Sequence, residues 1–324
     1  MSAMRDYRAP WWLPGSHLQT IWPVVSWRPG LAQALGYARE RWRAPDGDFI
    51  DVDHMPAIAG APWLVLFHGL ESSSTSSYAV AFAQAARARG WHFVVPHFRG
   101  CSGELNLAPR SYHSGDFDEV GWVLGRIRET ARAPVLAAGV SLGGNALLRW
   151  AEEAGDTAAS MVRAIAAISA PVDLVAAGAA TDRGLSWLLY TRTFLRTMKP
   201  RALAKWQQYP GLFDRERLIA ARTLHDFDDC FTAPLHGFAS ADDYWRRASS
   251  KPHLNAIRVP ALVLNARNDP IVPAHSLPRP DEVGAHVTLW QPRDGGHVGF
   301  VAGRWPGHVH AMPNAVCDWL AQAD

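Results

Sequence analysis

The chain contains Gly139-Val140-Ser141-Leu142-Gly143, which fits the Gly-x-Ser-x-Gly pattern of a nucleophile elbow. An apolar run, Val135–Val140, leads into Ser141 and predicts a buried strand, and the segment that follows predicts a helix. A strand that turns sharply into a helix strains the turning residue and exposes its side chain. Gly139 and Gly143 suit such a turn because a Cβ at either position would collide with the neighbouring strand or helix. A glycine-rich turn with a capping serine is the alternative interpretation.

The composition limits the class of protein. A length of 324 residues with 48% hydrophobic content predicts one large domain, or one domain that carries an insertion. A net charge of +2 gives no reason to expect a nucleic-acid partner. Cys101, Cys230 and Cys317 form no C-x-x-C pair, which favours a reduced, cytoplasmic protein over a disulfide framework or a zinc site. Neither a signal peptide nor a transmembrane helix is expected.

Strand-like and helix-like segments alternate along most of the chain, after a predicted hairpin at residues 38–44 and 48–54. This alternation predicts an α/β fold with a mostly parallel central sheet and helices on both faces. Further strands are predicted at residues 63–67, 92–96, 135–140, 162–168, 260–265 and 286–290, and helices at 78–89, 116–131 and 311–323.

The alternation breaks between about residues 173 and 250, where no strand pattern occurs and aromatic and arginine-rich helical patterns take its place. We interpret residues 173–250 as a helical cap inserted between the two parts of the core, 1–172 and 251–324. A cap over a strand-end site would shape a pocket and exclude water. The alternative is an extra helical layer that only thickens the core.

Candidate partners for Ser141 follow two of the predicted strands. A serine hydroxyl is a poor nucleophile unless a base takes its proton, and an acid must orient that base. In nucleophile-elbow enzymes the acid and then the base follow the serine along the chain, each in a loop after a strand. Asp269 follows the strand at 260–265 and is the candidate acid. His297 follows the strand at 286–290 and is the candidate base.

Other acidic and histidine residues compete for these roles. Asp294 is an alternative acid, although its position three residues before His297 favours a role in shaping the loop. His275 follows the candidate acid too closely to belong to the next strand's loop. His308 and His310 lie near the last predicted helix, where a surface position is expected.

Two backbone N–H groups are expected to stabilise the negative charge that acyl transfer builds on a carbonyl oxygen. One belongs to the residue after the nucleophile, Leu142, and the other to the loop after an early strand. Leu70, after the strand at residues 63–67, is the candidate for the second. Loss of one such donor typically slows turnover by about 100- to 1000-fold. The hydroxyl-rich run 72–77 lacks a strand–turn–helix context, so helix capping and loop hydrogen bonds are expected there.

Several further motifs, with the elbow, resemble the YheT-like subfamily of α/β-hydrolases over nearly the whole chain. They are Pro-Gly-Ser-His-Leu-Gln-Thr-Ile-Trp-Pro at 14–23, His-Gly-Leu-Glu at 68–71, His-Phe-Arg-Gly-Cys-Ser-Gly-Glu at 97–104, Tyr-His-Ser-Gly-Asp at 112–116, and the cap segments 227–229, 232–234 and 236–238.

The resemblance implies the α/β-hydrolase fold, a triad of Ser141, Asp269 and His297, and no metal or organic cofactor. It also implies esterase or lipase activity, with short- to medium-chain acyl esters and acylglycerols as the usual substrates. Eukaryotic relatives carry an N-terminal membrane anchor. Membrane residence is not carried over to this chain, which shows no such segment.

The leading hypothesis is a serine carboxylesterase that works on a small-molecule ester through an acyl-enzyme. An acyltransferase that uses an alcohol acceptor would need the same triad, although no H-x-x-x-x-D acyltransferase motif occurs. A binding protein with idle chemistry on the same scaffold is the alternative from another class. Cofactor-free lyase or peroxidase chemistry would also use this scaffold.

Three features have two interpretations each. Arg99 either pairs with a carboxylate and braces loops near the site or is a solvated cation. Trp11, Trp12 and Trp22 either make peripheral contact with lipid or, as we favour, pack against the core. Basic residues of the predicted cap either attract an anionic headgroup or form a solvated face; they are Arg183, Arg192, Arg196, Lys199, Arg201 and Lys205.

Overall fold

The structure is a computed structural model that describes residues 4–26 and 30–323; residues 1–3, part of the segment searched for a signal peptide, lie outside it. Its strands are β1 (Ala38–Arg43), β2 (Phe49–Met55), β3 (Trp63–Phe67), β4 (His92–Pro96), β5 (Val135–Val140), β6 (Ala164–Ile168), β7 (Ala261–Leu264) and β8 (Val287–Trp290).

The helices of the described chain fall into two groups, those before and after the cap and those within it. The first group is α1 (Ser16–Val25), α2 (Gly30–Gln33), α3 (Ser77–Ala88), α4 (Phe117–Thr130), α5 (Leu142–Ala154), α6 (Ala158–Met161) and, at the end of the chain, α14 (Ala311–Gln322). The second group is α7 (Leu174–Thr181), α8 (Gly184–Ser186), α9 (Arg192–Gln208), α10 (Arg215–Ala220), α11 (Leu224–Phe227), α12 (Ala233–Leu235) and α13 (Ala241–Ala248).

The eight strands form one sheet in the order β1-β2-β4-β3-β5-β6-β7-β8. β1 and β2 are antiparallel, as are β2 and β4, and every later pair is parallel. The predicted hairpin and the mostly parallel sheet are therefore confirmed. In a parallel sheet the carboxyl ends of the strands meet at one edge, which brings the loops after β3, β5, β7 and β8 together.

Both faces of the sheet are covered by helices. Alternate residues of each strand point to opposite faces; in β3, Val65 and Phe67 pack with α4 and α5, whereas Leu64 and Leu66 pack with α3 and α14. All four of these side chains are at most 1% exposed. Burial on both faces explains why the central strands are continuous apolar runs rather than alternating ones.

The segment predicted to be a cap lies between β6 and β7 and is helical, and the described residues there contain no strand. It has its own apolar cluster, which includes Phe213, Phe227 and Phe231. Two short π-helical segments, Trp187–Thr191 and Asp228–Thr232, interrupt its longer helical runs. Such segments are rare and frequently occur at functional sites.

Candidate active site

The turn at Ser141 has the strained geometry that its sequence predicts. β5 ends at Val140, α5 begins at Leu142, and Ser141 between them has φ 52° and ψ −120°. A Cβ added to Gly139 would overlap the carbonyl oxygen of Gly143. One added to Gly143 would lie 2.5 Å from the carbonyl oxygen of Phe67 in β3. The absence of side chains at both positions therefore lets strand and helix meet this closely.

Ser141, His297 and Asp269 form one chain of hydrogen bonds. His297 Nε2 lies 2.9 Å from Ser141 Oγ, and its Nδ1 lies 2.8 Å from Asp269 Oδ2. The side chain of Asp269 is fully buried, and its Oδ1 accepts hydrogen bonds from the amides of Ile271 and Val272 at 2.8 and 3.0 Å. These bonds orient the carboxylate so that its second oxygen faces the imidazole. Nδ1 then carries a proton and Nε2 is free to accept one from Ser141.

The competing residues lie elsewhere. Asp294 Oδ2 accepts a long hydrogen bond, 3.4 Å, from the amide of Ala9 near the N-terminus. His275, His308 and His310 are exposed. Among the residues that the structure describes, Asp269 is thus the acid that contacts His297.

The two predicted oxyanion donors both line the pocket above Ser141. Within the described chain, the amides of Leu70 and Leu142 have no hydrogen-bond acceptor, whereas the neighbours of Leu70 do. Gly69 N–H donates to the hydroxyl of Tyr78 at 2.9 Å, and Glu71 N–H donates to that of Tyr112 at 3.0 Å. Leu70 N–H is therefore left available for an incoming acceptor.

The loop that carries Leu70 is held by side chains that sequence reasoning missed. His68 Nε2 accepts from Phe98 N–H at 3.0 Å, so its Nδ1 holds the proton and donates to the Gly69 carbonyl at 2.8 Å. Burial lowers the pKa of His68 to about 3, which keeps the ring neutral. His68 thus supports the backbone instead of transferring protons. Only the His-Gly-Leu-Glu motif at 68–71 drew attention to it.

Glu71 connects this loop to the cap. Its φ is 55°, an unusual value for a residue with a Cβ. The hydroxyl of Tyr112, which accepts from Glu71 N–H, donates to Glu71 Oε1 at 2.8 Å. Arg201 Nη1, from α9 of the cap, lies 2.8 Å from the same oxygen and 3.0 Å from Cys101 Sγ. The interpretation of Arg201 as part of a solvated face is therefore wrong.

The other basic residues of the cap fall into two groups, those that donate hydrogen bonds to the protein and those that are exposed. The ammonium of Lys205 is buried and donates to the carbonyl oxygens of Asn106 and Ala108 and to Gln208 Oε1. Burial lowers the pKa of Lys205 to about 8. Lys199 donates to a backbone carbonyl of the cap. The remaining three, Arg183, Arg192 and Arg196, are exposed, as expected for a solvated face.

Arg99 braces loops beside the site, which confirms the first of its two interpretations. Its side chain is 5% exposed and contacts three carboxylates, those of Asp46 at 2.8 Å, Asp48 at 2.7 Å and Glu119. Removing Arg99 would leave buried carboxylates without a counter-charge, which is costly.

The tryptophans near the N-terminus do not join the buried core clusters; two of them pack at the surface instead. Trp12 donates to the Gly303 carbonyl at 3.2 Å and Trp22 to that of Pro306 at 2.9 Å. Their rings contact each other and Trp305. Trp11 differs, because 92% of it is exposed.

The pocket over Ser141 is lined from both the core and the cap. Most of its lining is apolar, and the cap contributes Phe194, Met198, Leu224, Phe227 and Phe231. Charged side chains also line it, among them Arg201 and Asp228. Such a lining suits the hydrocarbon part of a ligand.

Asp228, in the second π-helical segment, gives a pH-dependent prediction. Burial raises its pKa to about 6, although Thr232 Oγ1 and Trp245 Nε1 donate to it at 2.6 and 2.8 Å. A raised pKa means that the folded protein loses stability as the pH rises from about 4 to 6. Asp228→Asn removes that loss, so we expect its Tm at pH 8 to exceed wild type by about 3 °C, with the gain absent at pH 4.

Asp229 provides the matched control. A hydrogen bond from Ala241 N–H and the ion pair with Arg217 lower the pKa of Asp229, so its contribution to stability is present at pH 8 and is lost as the pH falls. Asp229→Asn should therefore lower the Tm at pH 8. Thermal melts at both pH values test the pair, and a Tm of Asp228→Asn below wild type at pH 8 would contradict the prediction.

Three further observations bear on the class of protein. The described chain contains no cluster of three or more His, Cys, Asp or Glu side chains suited to a metal ion. Its three cysteines are unpaired and buried. None of its described helices combines the length and the apolar character that crossing a bilayer requires.

Comparisons with known proteins identify the family of this chain. The family model of the α/β hydrolase fold matches residues 62–303. The chain belongs to the α/β hydrolase fold family. This α/β hydrolase is 39% identical to YheT of Escherichia coli (strain K12), provisionally named an esterase, over 94% of this chain and 89% of YheT. The resemblance to the YheT-like subfamily is thus confirmed.

Two other proteins illustrate how far the similarity extends. The human phospholipase ABHD3 is 28% identical to this hydrolase over 93% of this chain and 74% of its own. Est1E of Butyrivibrio proteoclasticus, solved with ferulic acid bound, superposes with a TM-score of 0.56 over 88% of this chain and 98% of its own. At 14% identity, the likeness to Est1E shows the shared fold alone.

Proposed function

We propose that this hydrolase is a serine carboxylesterase or lipase that cleaves short- to medium-chain acyl esters, acylglycerols among them, through an acyl-enzyme. The observation that carries the proposal is the unbroken chain of hydrogen bonds from Ser141 through His297 to Asp269, with distances of 2.9 and 2.8 Å. Such a chain activates a hydroxyl for attack on a carbonyl carbon.

The first half of the proposed reaction forms the acyl-enzyme. Ser141 Oγ attacks the ester carbonyl carbon while His297 Nε2 takes its proton, and the carbonyl π electrons move to the oxygen. The amides of Leu70 and Leu142 stabilise that oxyanion. As the tetrahedral intermediate collapses, the bond to the alkoxy oxygen breaks and His297 returns the proton to the departing alcohol. Asp269 holds the imidazole and stabilises its cationic form.

The second half regenerates the enzyme. Water attacks the carbonyl carbon of the acyl-serine and His297 takes its proton. The same oxyanion site stabilises the second tetrahedral intermediate. Collapse breaks the bond to Ser141 Oγ, which recovers its proton from His297, and the carboxylic acid leaves. If an alcohol took the place of water, the product would be a new ester and the enzyme an acyltransferase.

The substrate class rests on the pocket and on the relatives. Phe194, Met198, Phe227 and Phe231 offer apolar contacts to an acyl chain next to Ser141. ABHD3 is named a phospholipase and YheT provisionally an esterase, which supports an ester of a lipid or another acyl compound. We propose that residues 173–250 act as the cap that closes this pocket and excludes water from it.

The location of the protein is also a proposal. The thiols of Cys101, Cys230 and Cys317 are unpaired and buried. Burial raises the pKa of the Cys101 thiol to about 11 and that of Cys317 to about 12, so neither is a reactive thiolate. Unpaired thiols support a reducing compartment, and hence the cytoplasm.

A fluorophosphonate probe tests the proposed nucleophile. It should label Ser141 and no other serine, because only a serine paired with a general base attacks the phosphorus at a useful rate. Peptide mapping by mass spectrometry identifies the labelled residue. Labelling elsewhere, or none in folded protein, would favour a binding protein with idle chemistry.

A series of p-nitrophenyl esters then tests the substrate class. Short- to medium-chain esters should give higher kcat/KM values than long-chain ones if the pocket accommodates a limited acyl length. Repeating the reaction with an added alcohol separates hydrolysis from transfer. A new ester as the main product would identify an acyltransferase.

A further inference from the structure

Helix α1 contacts two loops: the acid loop, which follows β7 and carries Asp269, and the base loop, which follows β8 and carries His297. The helix precedes the segment matched by the family model, 62–303. Its Gln19 is 3% exposed. Gln19 Oε1 accepts two hydrogen bonds at 2.9 Å, one from Asn268 Nδ2 in the acid loop and one from Gly295 N–H in the base loop. Its Nε2 donates to the Leu13 carbonyl at 3.1 Å, which fixes the orientation of the amide. One buried side chain therefore joins the two loops.

The next residue of α1 contacts the base itself. Thr20 Oγ1 accepts from the backbone N–H of His297 at 2.9 Å and donates to the Ser16 carbonyl at 2.8 Å. The helix and the base loop are in close contact here, since a Cβ added to Gly296 would lie 2.8 Å from Thr20 Oγ1. Gly296 N–H also donates to Asn268 Oδ1 at 3.0 Å, which links the two loops directly.

We propose that Gln19 and Thr20 are positioning residues for the hydrolytic reaction, a role that rests on the proposed function. The imidazole of His297 must contact two partners that lie after different strands. A loop after a strand has conformational freedom that strand pairing does not remove. The acceptors of Gln19 and Thr20 bind that loop two residues before His297 and at the backbone N–H of His297 itself, and they restrict its displacement. A displacement of about 1 Å at a reacting group can cost about 100-fold in rate.

Two pairs of variants test this role. Gln19→Met has a similar length but removes the single acceptor oxygen that Asn268 Nδ2 and Gly295 N–H share, and leaves both donors unpaired. Gln19→Glu keeps an acceptor oxygen for them and loses the donor to the Leu13 carbonyl. Thr20→Val removes the hydroxyl without changing the shape, whereas Thr20→Ser keeps it. Ser26→Ala, at the residue that follows α1, is the control, because the Ser26 hydroxyl donates to the Trp22 carbonyl and to neither loop.

The measured quantities are kcat and KM for a p-nitrophenyl ester, with kcat corrected for the fraction of sites that a fluorophosphonate titrates. Gln19→Met and Thr20→Val should lower kcat by about 10- to 100-fold with KM within about twofold of wild type. Thr20→Ser should recover kcat to within about threefold of wild type. Ser26→Ala should leave kcat unchanged. A role limited to folding would change the titrated fraction or the Tm and not the corrected kcat.

The outcomes separate this proposal from the proposed function. A corrected kcat of Thr20→Val within about twofold of wild type, in an enzyme whose Ser141 is labelled, would overturn the positioning role alone. Equal loss in Thr20→Val and Thr20→Ser would overturn it too. Absence of labelling at Ser141 in the wild-type protein would overturn the proposed function and this role with it. If Gln19→Met does not fold, the Thr20 pair decides the question.

Discussion

Ser141→Ala is expected to lower kcat/KM for a p-nitrophenyl acyl ester by at least about a thousandfold while the protein stays folded. The hydroxyl is the atom that His297 contacts at 2.9 Å, and no other nucleophile replaces it once it is removed. Stability should change little, because alanine tolerates the turn at least as well as serine and the removed oxygen faces the pocket. Initial rates and a thermal melt measure the two quantities.

The control for this variant is Ser160→Ala, which removes an exposed hydroxyl that is bonded to the Thr157 carbonyl and does not line the pocket. It should keep wild-type activity. Residual activity of Ser141→Ala above about one thousandth of wild type would exceed what binding and oxyanion stabilisation alone provide. In that case Ser141 would not be the nucleophile.

Asp269→Asn is the second change with a large expected effect. The amides of Ile271 and Val272 donate to Oδ1, so the asparagine oxygen would keep that place and its NH2 group would face His297 Nδ1. An NH2 group donates, and the imidazole would respond by accepting at Nδ1 and carrying its proton on Nε2. That tautomer cannot take the proton of Ser141. We expect kcat to fall by about 1,000- to 10,000-fold with little change in the fold.

The competing acid serves as the comparison for this prediction. Asp294→Asn should lower kcat by less than about tenfold, because Asp294 contacts the amide of Ala9 and not the imidazole. Steady-state kinetics of the two variants under the same conditions decide between the two carboxylates. A larger loss for Asp294→Asn than for Asp269→Asn would reverse the assignment.

The sequence predicted most of the fold because its signals are local. A strand buried on both faces needs a continuous apolar run, as in Val135–Val140, and a helix that covers it needs apolar residues on one face, as in α4. The predicted limits of the strands differ from the observed ones by two residues or fewer; the strand expected at 162–168, for example, begins at Ala164. Parallel pairing then brings the loops of Ser141, Asp269 and His297 to one edge.

The contacts that support the candidate site have no comparable local pattern in the sequence. Gln19 lies 276 residues from Gly295 along the chain, and Arg201 lies 130 residues from Glu71. Tyr78 and Tyr112, whose hydroxyls hold the loop around Leu70, look like ordinary aromatic residues in the sequence. Polar side chains of these types occur throughout the surface of most proteins. Their partners depend on how distant segments pack, and a pattern of neighbouring residues does not contain that information.

The chain's own residues were thus sufficient to predict the α/β architecture and a helical segment between β6 and β7, since backbone periodicity follows from local chemistry. They also pointed to the three side chains proposed to react, because each follows the end of a predicted strand. Tertiary packing alone decided which groups support these side chains. Helix α1 contacts the loops that carry the proposed acid and base, and Arg201 pairs with Glu71. Two tyrosine hydroxyls bond the amides on either side of Leu70 N–H, which itself stays unpaired. The physical reason is that a hydrogen bond between distant segments forms only after the sheet and cap have brought its donor and acceptor within about 3 Å.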